Sequence, residues 1–465
     1  MSLHILMPVH RLSLHLSAAY FLTTAATRMD EWAVSLALAT AFPSNLLRIS
    51  VFAFALTTAS IVFGASVGSI VDRTPRLRAV RTSIIAQKIC AALSAIALWI
   101  MLNYVPASET VANSFLFGSV IVTGSVMRLA SRATTIAVEK NWVVVIYHQD
   151  SLALATVNSH LRRTDLICKL GSPLLVSLLT IPLSIPTSML VVAGWCLATL
   201  PFELYFIQKV YDNVPDLSLP PQPKSNNNDT HESAPVDTEL DEEAPSCIEP
   251  IQEPETITAT KLTNSFVRYW NHPIFLPSLA LSLLYLTTLS FGSVMTTWLL
   301  LRYTPTFLAG MRALGVLCGL LATFTTKPLI SRLGLFSTGL VGAWSQAVCL
   351  SVAIVALFLP QGTVVATALF FAGVTLSRWG LWTFDMSETQ ILQERVEAGE
   401  SGLISGVEFS LQNMFELLSY VVTMVWNSTD TFWISATISF SAVVLAAVVL
   451  SAFQSRKIKE NCRRA

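Results

Sequence analysis

Three oxygen-bearing side chains, Thr27, Asp30 and Glu31, sit within five residues of one another in an otherwise apolar run. In a helix Thr27 and Glu31 are one turn apart, with Asp30 three residues after Thr27, so all three share one broad face. Hydroxyl and carboxylate oxygens are ligands for hard or borderline cations, so this face offers a divalent-metal site. A carboxylate at membrane depth costs roughly 2.5 kcal/mol or more unless it is paired or faces water. Arg28 supplies a second reading, in which an internal arginine–carboxylate pair fixes helix packing. Both readings stand at this level.

Other ionisable residues interrupt apolar runs further on. Arg128 and Arg132, one turn apart, are candidate counter-charges for Asp30 and Glu31. Arg378, Asp385, Glu388 and Glu408 fall on or near two later spans and read mostly as gate contacts at a helix end rather than ligands. The seven cysteines show no paired spacing and read as small buried hydrophobes. No nucleotide-binding glycine loop, HExxH, CxxC or nucleophile elbow occurs, so the chain does not read as an enzyme and no cofactor is implied. Nucleic-acid binding has no basic patch to rest on.

The elements that must carry these residues are membrane helices. The chain is 53% hydrophobic and 12% charged, against roughly 25% charged residues in soluble domains. A bilayer core needs about 20 apolar residues per helix. Apolar runs at 13–40, 49–71, 82–104, 112–137, 165–186, 188–210, 273–301, 306–329, 334–358, 363–384, 403–425 and 431–454 predict about twelve spans. The fold class is therefore an all-α membrane protein with two six-helix halves, 1–211 and 263–465, in contact with the lipid bilayer. Between them, 212–262 is rich in Pro, Asn, Asp and Glu, as in Asp241-Glu242-Glu243, and reads as a disordered acidic linker. The N-terminal stretch around His4, His10 and Arg11 has no signal-peptide pattern.

Charge bias orients the helices. Arg73, Arg76, Arg78 and Arg81 fall in one turn, Lys140, Arg162 and Arg163 in the next even-numbered one, and Arg456, Lys457 and Lys459 after the last span. These turns share one face, which predicts cytoplasmic termini and a cytoplasmic linker. Asn427-Ser428-Thr429 is a glycosylation sequon on the opposite, outer side. A multi-pass membrane location follows, with the plasma membrane ahead of internal membranes.

Longer motifs add a resemblance. Gly68-x-x-x-Asp72-Arg73, with Arg76 and Arg78 after it, resembles the loop between the second and third helices of major-facilitator transporters. The run from Asp72 to Gln87, Asn141-Trp142-Val143-Val144-Val145, Asn158 to Asp165 and Tyr269-Trp-Asn-His-Pro273 resemble ferroportin. So do Gly380-Leu381-Trp382-Thr-Phe384-Asp385, Thr389-Gln390 and Gly402 to Val407, in the family's order over nearly the whole chain. The resemblance implies a major-facilitator fold and export of iron(II) from the cytosol by alternating access, with protons as coupling ion. It also implies that Asp72, Arg76, Asn158, Arg162 and Asp165 link helix ends when the transporter opens outward. The sequence departs from the family at the metal ligands. The family's aspartate and histidine of the first helix are replaced by Thr27 and Glu31, with Asp30 extra. Ser293 stands at the family's cysteine, and 436–453 holds no histidine. Iron selectivity is thus carried over less well than fold and transport type. A non-transporting sensor or scaffold and an organic-solute carrier are the alternatives.

Overall fold

Mean hydropathy of +0.60 leaves little room for anything but helices that satisfy their own backbone groups, and the chain folds accordingly. The computed structural model describes residues 3–41, 46–105, 110–147, 150–218, 259–290, 295, 298–299, 302–360, 362–397, 399–426 and 431–464. The first group of helices is α1 (Leu3–Ala41), α2 (Leu46–Arg73), α3 (Arg76–Asn103), α4 (Thr110–Thr135), α5 (Val143–Tyr147), α6 (Ser151–Leu179) and α7 (Ile185–Asn213). The second is α8 (Ala259–Asn271), α9 (Phe275–Leu283), α10 (Pro305–Leu333), α11 (Leu335–Phe358), α12 (Val364–Arg395), α13 (Ser401–Val425) and α14 (Phe432–Arg464).

Helix starts follow local chemistry. Asp150 caps α6 by accepting from the amides of Leu152 and Ala153 at 2.9 and 3.0 Å. Thr363 caps α12 through the Ala366 amide at 3.2 Å, and Thr304 caps α10 just before Pro305. Among the described residues, eight helical stretches are long and apolar enough to cross a membrane. Their buried faces pack on one another. Large apolar side chains such as Val122, Leu174, Leu321 and Val355 stay more than half exposed, as lipid contact requires. Helices α1, α6 and α13 are not among the eight, because polar residues dilute them.

Two expectations are corrected. The fifth apolar run was placed at 165–186, but α6 begins at Ser151 and ends at Leu179, with a turn before α7. Its first half carries Asn158, Arg162 and Asp165, so an apolar window reads it as loop although those residues face the protein interior. The run 273–301 is not one helix. α9 ends at Leu283, a 3₁₀ turn covers Leu284–Leu286, and Thr287 is extended. The break is satisfied by side chains. Ser439 Oγ accepts from the Thr288 amide at 2.7 Å, and Arg378 Nη2 donates to the Leu289 carbonyl at 3.1 Å. Such breaks survive at membrane depth only where protein or water completes the backbone hydrogen bonds. The core of the linker, 219–258, lies outside the described residues, as do Ser293 and Asn427. The five described cysteines are all free.

Candidate functional site

A cavity of about 610 Å³ is walled by both groups of helices, with α1, α4 and α6 on one side and α9, α12 and α13 on the other. The helices too polar for the hydropathy criterion line it, which explains their composition. Six carboxylates and six cations reach its wall. Their pairing decides what the cavity can bind.

Most of these charges are committed. Arg28 donates to Asp165 Oδ1 at 2.8 Å and to Glu31 Oε2 at 3.0 Å. Arg162 lies 3.8 Å from Asp165 Oδ2 and reaches across to pair with Asp385 of α12, while its guanidinium sits over the Trp382 ring at 4.9 Å. Tyr20 donates to Glu139 at 2.7 Å, and Gln412 donates to Glu408 at 2.9 Å. Asp30 differs. It is 3% exposed and lines the cavity, and among the described residues it has no hydrogen bond or ion pair. Thr27, by contrast, donates to the Thr23 carbonyl at 2.9 Å, and its hydroxyl lies 3.4 Å from Gln87 Oε1. The three residues expected to act together thus share the wall, but only Asp30 is uncommitted. No group of three or more His, Cys, Asp or Glu arranged for a metal occurs among the described residues.

Arg128 and Arg132 do not neutralise Asp30 and Glu31. Arg128 donates to Asn413 at 2.9 Å and lies 3.5 Å from Glu416, and Arg132 stacks over Phe409 at 3.9 Å. All three partners belong to α13, so these arginines tie α4 to the second group of helices. Sequence spacing cannot reveal partners more than 270 residues away.

The residues expected at a gate run from helix ends, at Asp72 and Arg76, to the cavity wall, at Arg162 and Asp165. Asp72, in the last turn of α2, accepts from the amides of Gly402 and Leu403 at 2.8 Å each, capping α13 from outside. Asn158 of α6 donates to Gln393 of α12 at 2.6 Å. Arg162 reaches Asp385, whereas Asp165 stays within its own group of helices. Arg76 donates to the carbonyls of Asp216 and Leu217 at 3.1 and 3.4 Å, fastening the turn after α7. Among the other gate candidates, Asp385 contacts α6, Arg378 holds the broken span, and Glu388 is buried with neither oxygen hydrogen-bonded.

Sequence spacing gave no notice of the π-turn Ile136–Trp142. It widens the end of α4 and turns the Glu139 carbonyl to Gln393 Nε2 at 2.6 Å and the Lys140 carbonyl to Ser401 Oγ at 3.2 Å. Helices α2 and α13 cross with their backbones in contact at Gly64, Gly68, Gly402 and Gly406. A Cβ on Gly68 would stand 1.9 Å from the Gly402 carbonyl oxygen.

One buried pair lies behind the cavity wall. Lys88 Nζ is 2.8 Å from Glu203 Oε1, with side chains 3% and 0% exposed, and Thr23 donates to the other Glu203 oxygen at 2.8 Å. Removing one charge strands the other, at about 3–5 kcal/mol. Lys88→Met is therefore expected to lower the thermal unfolding midpoint in detergent sharply, and Lys88→Met with Glu203→Gln to recover most of it. Unchanged melting of the single variant would rule out a structural role for the pair.

The model of the Ferroportin1 (FPN1) family matches residues 10–443. Solute carrier family 40 member 1 of Oryza sativa is 30% identical over 440 residues, covering 93% of this chain and 89% of that protein. Human ferroportin is 24% identical over 515 residues, covering 93% and 89%. A bacterial homologue of the iron transporter ferroportin superposes with a TM-score of 0.80 in its outward-facing state, at 23% identity over 96% of this chain and 99% of that one. In its inward-facing state the TM-score is 0.61, at 22% identity over 96% and 99%. With a family match over nearly its whole length and a helical architecture that follows these relatives, the chain belongs to the ferroportin family, whose members are membrane transporters and not enzymes.

Proposed function

We propose that the chain exports a divalent metal, iron(II) first, from the cytosol by alternating access of two six-helix halves. In this reading the halves are 1–211 and 263–465, joined by a cytoplasmic tether over 212–262, and protons are the coupling ion. The termini lie in the cytosol, Asn427 faces outward, and the protein resides in the plasma membrane.

One observation carries the metal reading. Asp30 is buried, faces a polar cavity shared by both groups of helices, and is the one lining carboxylate without a partner among the described residues. An uncommitted carboxylate in that position is stabilised by a bound cation. Thr27 and the cavity water can complete an oxygen shell, and Glu31 can join if it leaves Arg28. The higher TM-score against the outward-facing relative supports assigning the contacts of Asp72, Asn158, Arg162 and Asp165 to a closed cytoplasmic gate. Arg76 would steady that gate by fastening the turn after α7. Oxygen ligands discriminate among divalent ions less than imidazole and thiolate do, so cobalt, nickel or manganese should compete.

Calorimetry of the purified protein with iron(II) under reducing conditions, paired with flux into proteoliposomes, tests this. A charged contact contributes ~1.5–3 kcal/mol, so Asp30→Asn should weaken binding about 10- to 100-fold. Glu31→Gln should weaken it far less, because Arg28 already holds that carboxylate. Equal binding by Asp30→Asn and the parent would remove Asp30 from the site. Absence of metal flux in the parent would reject the exporter reading itself.

A further inference from the structure

Two glutamates of the second group of helices stand outside every ion pair among the described residues. Glu388 on α12 is 0% exposed, and neither of its oxygens has a hydrogen-bond partner. Glu408 on α13 is 5% exposed, lines the cavity and accepts a hydrogen bond from Gln412, with the Ser278 hydroxyl of α9 also beside it. Each lies in the field of the other. None of the ion pairs among the described residues includes either of them. Ser405, one turn before Glu408, also lines the cavity, and its buried Oγ has no partner. Ser405 and Glu408 are thus polar groups on the cavity wall, and Glu388 is an enclosed carboxyl group within the electrostatic reach of Glu408.

The surrounding charges are few. Glu388 faces Glu408 from α13, Asp385 from its own helix and Lys140 from the π-turn. Glu408 is also in the field of Lys140 from the π-turn, Arg132 from α4 and Asp385 from α12, and Tyr269 of α8 and Tyr285 beyond α9 lie close to it. Asp385 is engaged by Arg162, and Arg132 is stacked on Phe409. A carboxylate with no donor at either oxygen is poorly tolerated as an anion in an apolar interior, and two carboxylates in each other's field resist being charged together. A metal has no third acidic, histidine or cysteine ligand here among the described residues. A proton needs none.

We propose that Glu388 and Glu408 form a carboxyl pair that holds one proton and exchanges it with the cavity, giving the transporter its proton-coupling site. Uptake forms one O–H bond on a glutamate oxygen at the expense of hydronium in the cavity, leaving water. Release reverses the step when the contacts of α12 and α13 with α6 and α2 open. This proposal rests on the exporter reading for its coupling role but not for the proton site itself.

Two measurements separate those claims. Difference infrared spectroscopy of the full-length protein in detergent, scanned in pH, should show a protonated-carboxyl C=O band that Glu388→Gln removes. Glu408→Gln should shift or remove the same band. Size-exclusion profiles matching the parent establish that the variants are folded. A spectrum that neither substitution changes overturns the proton site, whatever the protein transports. In proteoliposomes clamped at zero voltage, one proton per cycle makes an opposing gradient of one pH unit worth a factor of about ten in metal accumulation. That ratio should fall to about one in Glu388→Gln. A tenfold response retained by the variant overturns the coupling role. Lack of any metal accumulation by the parent would instead reject the exporter reading, leaving the infrared result to decide the proton site.

Discussion

Gly402→Ala is expected to nearly abolish transport by preventing α2 and α13 from meeting. A Cβ at 402 would lie 2.3 Å from the Gly68 carbonyl oxygen and 2.5 Å from Asp72 Oδ1, closer than packed atoms tolerate. The first obstacle is backbone, so relief requires the helices to separate. Separation also lengthens the two bonds by which Asp72 caps α13. Overpacking of this kind costs about 1–3 kcal/mol, which would reduce the population of the state with these helices in contact roughly 5- to 150-fold. Cysteine accessibility from each side of sealed vesicles would report the shift, and flux would report its consequence. Gly118→Ala and Gly194→Ala meet nothing within 4 Å and should behave as the parent. If Gly402→Ala transports at the parent rate, close approach of α2 and α13 is not part of the cycle.

The second large effect is expected at Asp385. Its pairing with Arg162 is the charged contact that joins α6 to α12 across the cavity, and the two side chains are 12% and 24% exposed. Loss of one member of a buried pair costs about 3–5 kcal/mol, which partial solvent access reduces to about 2 kcal/mol here. Asp385→Asn should therefore lower the population of the state in which α6 and α12 meet about thirtyfold. Asp165→Asn should move it less. Asp165 holds Arg28 and steadies Arg162 within one group of helices and crosses to no other. The charge exchange Arg162→Asp with Asp385→Arg should restore part of the parent's accessibility pattern. Equal shifts for Asp165→Asn and Asp385→Asn would show that the network acts as one unit rather than through its crossing bond.

Local sequence was sufficient where local rules apply. Apolar length and composition determined that the chain is helical and membrane-embedded. Gly68-x-x-x-Asp72-Arg73, at the end of an apolar run, marked the turn between α2 and α3. The same rules failed at α6, where Asn158, Arg162 and Asp165 made a buried helix look like a loop, and at 273–301, where an apolar run concealed a break. In both cases hydropathy averages over all faces of a helix, whereas polar groups turned inward are satisfied by partners distant in sequence. Tertiary structure alone decided that Arg128 binds α13 instead of Asp30, that Arg28 also holds Asp165, and that Arg162 selects Asp385. Charge pairing at membrane depth depends on which helices touch. The chain specifies that by packing glycines, a π-turn and a broken span, and only the fold brings Asp30 to the cavity wall and encloses Glu388, neither with a hydrogen-bond partner among the described residues.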